Sequence, residues 1–284
     1  MSVSTTLVQS YHLHSWGSKG DPPVLLLHGF TGHGGSWAGL GQRFAAAGYN
    51  VLAPDLLGHG RSAHPSDATR YGMAHAAADL NSLLDESPIE AVHLLGYSMG
   101  GRLGLFFALS CPERVRTLSL VSASPGIAST AERDERRDRD DALADQIERD
   151  GIGAFVDHWE SLPMWASQRR YLSSEQHQQL RSQRLRNLPD GLANSLRGMG
   201  TGNQPALHEK LPTLSMPTLL IAGAEDEKFA DINRQMERRI PQARLVILPM
   251  AGHAVQLERP RAFERTVLEF WQSYEVSRPK ASKT

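Results

Sequence analysis

The chain predicts an α/β protein with a mostly parallel sheet covered by helices on both faces. Short, almost wholly apolar runs recur along its 284 residues, helical patterns separate them, and one long stretch between two of the runs contains no strand. Strands buried on both faces read as continuous apolar runs, where half-buried strands would alternate.

The runs come in order. Leu7 to Trp16 reads as an antiparallel beginning. Pro23 to Leu27 (PVLLL), Val51 to Asp55 (VLAPD) and Ala91 to Tyr97 (AVHLLGY) follow, then Thr117 to Val121, Thr218 to Ala222 and Arg244 to Leu248. Helical patterns occupy Trp37 to Ala47, Met73 to Asp85, Gly100 to Ser110 and Ala262 to Tyr274. From Gly126 to Pro212 the alternation stops. That stretch opens with the charged run AERDERRDRDD (Ala131 to Asp141) and carries helical sequence broken by proline and glycine. It is too long for a simple connection. It therefore reads as a helical cap, residues 126–212, inserted into a core made of residues 1–125 and 213–284. On charge density alone, a solvated excursion with no binding role is the default for it. The polar tail Ser277 to Thr284 reads as frayed.

Composition narrows the function classes. Lys and Arg number 30 against 31 Asp and Glu, so no basic excess marks a nucleic-acid or membrane-surface binder. One cysteine, Cys111, excludes an internal disulfide framework and reads as a small packing residue near a helix end. Met1 to Ser10 lacks the basic and apolar regions of a signal peptide, and no apolar run approaches the roughly 20 residues of a membrane span. A cytoplasmic protein is the expectation.

The chemistry centres on Gly96-Tyr97-Ser98-Met99-Gly100. By itself G-x-S-x-G recurs by chance. Here a strand pattern precedes it and a helix pattern follows, the setting in which a sharp turn lifts the serine above the sheet. Serine is a poor nucleophile without a base, and the base needs an orienting acid. His253 follows the last strand and Asp226 the one before, so Ser98, Asp226 and His253 converge on one sheet edge in the chain order Ser, Asp, His. Glu225 and Glu227 compete with Asp226 for the acid. An oxyanion needs two N–H donors: Met99 offers one, and Phe30, in the loop His28 to Gly32, the other. His28 reads as a structural turn residue. The loop Asp55 to Ser62, with His59 and Arg61, reads as a wall of the site. No H-x-x-x-H pair or cysteine cluster offers metal-ligand spacing, and no glycine loop ends in Lys-Ser or Lys-Thr, so neither a metal nor any other cofactor is expected.

With these motifs together the chain resembles the α/β-hydrolase superfamily over nearly its whole length. More narrowly, Gly96-Tyr97-Ser98-Met99-Gly100-Gly101-Arg102 is similar to the G-Y-S-x-G-G-R of the 2-succinyl-6-hydroxy-2,4-cyclohexadiene-1-carboxylate (SHCHC) synthases of menaquinone and phylloquinone biosynthesis. Further similar segments are Ser124-Pro125-Gly126 before the arginine-rich helix, Phe155 to Trp159, Leu162 to Ser167, Arg186 five residues before Gly191, Asn203-Gln204-Pro205, and the acid loop Gly223 to Phe229. The resemblance implies a lyase that eliminates pyruvate from a small polycarboxylate, 2-succinyl-5-enolpyruvyl-6-hydroxy-3-cyclohexene-1-carboxylate. It also implies that Tyr97, Arg102, Arg136, Trp159 and Arg186 line the pocket, while Arg133, Arg137 or Arg184 could take the place of a cap arginine. Arginine suits that substrate because its planar fork takes both oxygens of a carboxylate. The competing readings are a serine hydrolase of esters or of carbon–carbon bonds in ring-cleavage products, and a ligand-binding relative with a dormant triad.

Overall fold

The structure, a computed structural model, describes residues 10–277. The expected strand at residues 7–9, the absence of a signal peptide before Ser10 and the tail after Ser277 lie outside the described residues.

The chain runs β1 (Leu13–Trp16), β2 (Pro23–Leu27), α1 (Ala38–Ala46), β3 (Asn50–Pro54), α2 (Met73–Glu86), β4 (Val92–Tyr97), α3 (Met99–Ser110) and β5 (Val115–Val121). A helical insertion follows: α4 (Thr130–Ser161), α5 (Ala166–Tyr171), α6 (Ser174–Arg184) and α7 (Pro189–Met199). The chain then returns to the sheet through β6 (Thr218–Gly223), α8 (Glu227–Glu237), β7 (Ala243–Leu248), α9 (Val255–Glu258) and α10 (Pro260–Ser277). Helix α8 is absent from the sequence-based expectation. Its buried face is Ala230, Asn233 and Met236, too short and too polar to announce a helix by apolar period.

Seven strands form one sheet in the order β1-β3-β2-β4-β5-β6-β7. β1 pairs with β3 antiparallel and every other pair is parallel. Leu25, Leu27, Leu94, Leu118, Leu120 and Leu220 pack against helices on one face. Val24, Leu26, Leu95, Val121, Leu219 and Ile221 pack against α1 and α10 on the other. Covering on both faces explains why these strands carry no polar alternation. The insertion has its own small core of Ala144, Ile147, Phe155, Val156, Leu192, Ala193 and Leu196, with Phe30 of the sheet domain against it. α4 is broken at Gly151, whose φ of 80° leaves the helical region. No helix among the described residues is long and apolar enough to cross a membrane.

Because the central strands are parallel, the carboxyl ends of β2, β4, β6 and β7 open onto the same edge. The insertion lies over that edge.

Candidate active site

Ser98 sits at the turn between β4 and α3 with φ 50° and ψ −110°, a conformation that costs a non-glycine residue on the order of 1–3 kcal/mol. Packing imposes it. A side chain at Gly96 would run into the carbonyl of Gly100, and one at Gly100 into the carbonyls of Leu27 and His28. The Ser98 N–H donates to the carbonyl of Val121 at 2.8 Å, tying the turn to β5.

The serine hydroxyl lies 3.0 Å from His253 Nε2, and His253 Nδ1 lies 2.7 Å from Asp226 Oδ2. The loops that carry the histidine and the acid are tied together: the Glu225 N–H donates to Ala251 O at 2.8 Å, and Ala224 N–H to Leu248 O at 2.9 Å. His253 is buried, with the Phe229, Tyr97 and Trp165 rings at 4.7, 5.6 and 5.6 Å. Of the three acids in this loop only Asp226 reaches the imidazole. Glu225 turns away to Arg170 and the Tyr171 hydroxyl, and Glu227 is exposed on α8.

Glu258, on α9, accepts from the Gly252 N–H and from Ser167 Oγ at 2.6 and 2.9 Å. It thereby joins the histidine loop to α5 of the insertion, and burial raises its pKa above the usual carboxylate range. Sequence reading missed it because a glutamate in a generic helix carries no motif.

Met99 opens α3, where helical N–H groups have no partner within the helix. Phe30 stands in a loop that turns at Thr31 (φ 69°) and closes with a Gly32 N–H to Gly29 O bond of 3.0 Å. His28 holds that loop from behind. Its Nε2 accepts from the Leu56 N–H at 2.9 Å, its Nδ1 donates to Gly29 O at 2.9 Å, and burial keeps its pKa well below the ordinary imidazole value. His59 is buried too, its pKa pushed down to about 4 by burial, with its ring 5.9 Å from that of Phe30. Neither histidine lines the cavity onto which Ser98 opens.

Ser98, Met99, Phe30 and His253 open into a cavity of about 490 Å³ under the insertion, a volume suited to a small-molecule ligand. Its lining brings in Arg102, Arg136 and Trp159, and adds Arg139 and Lys228. Arg102 meets Gln204 Oε1 at 3.4 Å, and its pKa is pushed down to about 10, first by burial and then by Arg136. Arg136 is held by Asp140 at 2.8 Å, and Asp140 also accepts from the Gly202 N–H. The buried Trp159 Nε1 and Ser122 Oγ find no hydrogen-bond partner among the described residues, and both residues line this cavity. Four cations and two unmatched polar groups stand against one paired acid, so the lining is net positive.

Two expected pocket residues stand elsewhere. Tyr97 lines a smaller adjoining cavity of about 80 Å³, behind Phe30 and Trp165. Arg186 is exposed and lines neither cavity. Arg184, two residues earlier, takes the inward position. It is buried, its Nη1 is 2.9 Å from Glu160, and its guanidinium lies 5.4 Å from the Trp165 ring centroid in the Tyr97 cavity. Two residues on a helical turn differ by roughly 200° in direction, so an inward Arg184 puts Arg186 outside. Arg133 holds the Ile127 carbonyl, and Arg137 holds Asn203 and Asp134, so both brace the insertion's ends. Arg139 was detectable as the residue three after Arg136 on one helix face, and Lys228 as the residue two after Asp226.

Residues 22–260 match the α/β-hydrolase fold family. The chain is 43% identical over 263 residues to a Bacillus subtilis (strain 168) protein provisionally named 2-succinyl-6-hydroxy-2,4-cyclohexadiene-1-carboxylate synthase, covering 93% of this chain and 95% of that one. The structure of MenH from S. aureus superposes with a TM-score of 0.88 at 33% identity, covering 94% and 99% of the two chains. A thermophilic esterase from Thermogutta terrifontis, with malate bound, superposes with 0.81 at 27% identity, covering 93% of each.

Proposed function

This chain belongs to the α/β-hydrolase fold family and, within it, to the SHCHC synthases, and we propose that Ser98, His253 and Asp226 carry out that family's pyruvate elimination here. It is an enzyme of menaquinone and phylloquinone biosynthesis, a carbon–oxygen lyase acting on 2-succinyl-5-enolpyruvyl-6-hydroxy-3-cyclohexene-1-carboxylate. The observation that carries the reading of the site is the pairing of a hydrogen-bonded Ser–His–Asp chain with a lining of Arg102, Arg136, Arg139 and Lys228. An ester hydrolase needs the first; a substrate with several carboxylates needs the second.

In this reading His253, oriented by Asp226, draws the proton from Ser98 Oγ, and the serine oxygen removes a proton from the substrate ring. The released electron pair forms one ring double bond, the existing ring double bond shifts by one position, the bond from ring carbon to the enolpyruvyl oxygen breaks, and the leaving enolate takes up the proton held by His253 to become pyruvate. Charge that builds on a substrate oxygen is met by the Phe30 and Met99 N–H groups. Residues 126–212 act as a cap over the core formed by residues 1–125 and 213–284. A chain with one cysteine suits a reducing, cytoplasmic compartment.

Supplying the purified chain with the enolpyruvyl substrate tests the reading. Pyruvate and the conjugated cyclohexadiene product should appear in equal amounts, and hydrolysis of simple esters should be slow by comparison. Ester hydrolysis without pyruvate release would reject it.

A further inference from the structure

The sheet's far edge carries a cluster that the lyase chemistry leaves unused. His12 and His14 flank Leu13 at the start of β1, and the two-residue period of an extended strand puts both imidazoles on one face. Their ring centroids are 4.6 Å apart. β1 runs antiparallel to β3 with Leu13 opposite Pro54, so the residue after β3, Asp55, arrives beside them, its N–H donating to His12 O at 2.8 Å. Asp55 Oδ1 is 3.0 Å from His14 Nε2 and 3.9 Å from His33 Nδ1. Ligand atoms of His12, His14 and Asp55 all lie within 4.8 Å of one another.

We propose that His12, His14, His33 and Asp55 form a binding site for a transition-metal dication of the zinc class. Three imidazoles and one carboxylate are a donor set suited to tetrahedral zinc, and imidazole ligands favour zinc, copper or nickel over magnesium or calcium. Asp55 is buried, and its carboxylate is oriented by the Gly34 N–H at 2.7 Å and the Arg61 N–H at 2.8 Å, the outer hydrogen bonding that fixes a metal-ligating carboxylate. The three histidines are partly exposed, which leaves an approach from solvent. Zinc holds its ligand atoms roughly 3.4 Å apart, and side-chain rotation supplies the remaining closure.

Two cationic side chains oppose the cation, and one of them, exposed Arg186, acts electrostatically on His33. Arg61 Nη1 lies 3.4 Å from His12 Nε2, on an exposed side chain that has to swing aside. The site also ties three segments together. His33 directly follows the loop that carries Phe30, Asp55 opens the loop bearing His59, His14 belongs to the edge strand and His12 immediately precedes it. A bound cation pins the Phe30 loop to the sheet. The helical spacing H-x-x-x-H does not describe this site, because the pair enters an extended strand as H-x-H.

The test uses untagged, chelator-dialysed full-length protein and zinc chloride alone, followed by calorimetry, with cobalt(II) as a spectroscopic substitute. The proposal expects one equivalent bound, a rise in melting temperature with zinc, and visible cobalt bands of tetrahedral intensity. His12→Gln should weaken binding by about tenfold or more, and Arg61→Ala should tighten it. His12 is partly exposed, so the variant's melting temperature in chelator should match that of the parent chain. No stoichiometric binding, or equal binding by the parent and His12→Gln, would overturn the site.

Discussion

Two regions meet at the Ser98 cavity, and different physics builds each. The sheet edge is over-determined: strained φ and ψ at Ser98, glycines with no room for a side chain, and backbone bonds from one loop to the next. The insertion is a charged helical layer with a small core, and it offers Arg136 and Arg139 to the cavity from a partly exposed face. The esterase from Thermogutta terrifontis shares the overall architecture. In the proposed reading the edge supplies the proton chemistry and the insertion selects what enters it.

The comparison breaks first at the triad. Ser98→Ala, His253→Ala and Asp226→Asn should each lower kcat by about 10³-fold or more with the melting temperature little changed, and the losses should not add, because the three act as a unit. Near-normal pyruvate release by Ser98→Ala would remove the sheet edge from the chemistry.

The insertion's share is tested by Arg136→Ala, together with Arg102→Ala, which removes the sheet-borne guanidinium facing it. Each should cost about 2–5 kcal/mol in kcat/KM on the charged substrate and leave neutral ester turnover unaffected. Arg186→Ala, expected from sequence to behave likewise, should be close to silent. Equal losses on charged and neutral substrates would make these arginines structural.

Rigidity at the edge is sharpened by Gly96→Ala. A methyl there meets the Gly100 carbonyl, and about 2–3 kcal/mol of stability should be lost by urea titration. The same change at exposed Gly153, where nothing crowds the position, should be mild or stabilising.

The buried histidines extend this comparison to pH. His59 has its folded pKa lowered to about 4 from an ordinary value of 6.5. The unfolded chain then binds the extra proton first, so the stability His59 contributes is present above pH 6.5 and is lost as pH falls towards 4. His28 acts in the same direction. Unfolding free energy measured across that window should fall on the acid side, and the fall should be smaller in His59→Gln. A flat profile would mean these imidazoles are not held neutral.

The smallest expected effect is at the insertion's aromatic contribution. Trp159→Phe removes an N–H with no internal partner among the described residues and should cost about 1 kcal/mol in kcat/KM.

The edge was legible in the sequence and the insertion only partly so, for physical reasons. Ser98, Asp226 and His253 are announced by where strands stop, and a buried parallel strand is the plainest signal a chain carries. Asp226 could be preferred over Glu225 and Glu227 only as a wager, since three neighbouring acids differ by the direction their side chains leave the loop. Arg184 and Arg186 defeat reading by motif, because inward and outward depend on the rotation of one helix end that neighbouring packing sets. Glu258 was illegible because its partner on the insertion, Ser167, is distant in sequence, α8 because its buried face is short and polar, and the pair His12 and His14 became visible only once β3 brought Asp55 beside them.

What Ser98 does is the point on which the account turns, and rapid-quench mass spectrometry during turnover of the enolpyruvyl substrate reaches it most directly. As a base, Ser98 should keep its unmodified mass at every time point while pyruvate accumulates, and deuterium at the abstracted ring position should slow the reaction if proton removal limits the rate. A substrate-derived adduct on Ser98 that forms and decays at the catalytic rate would contradict the base role and return the site to the covalent chemistry of its hydrolase relatives.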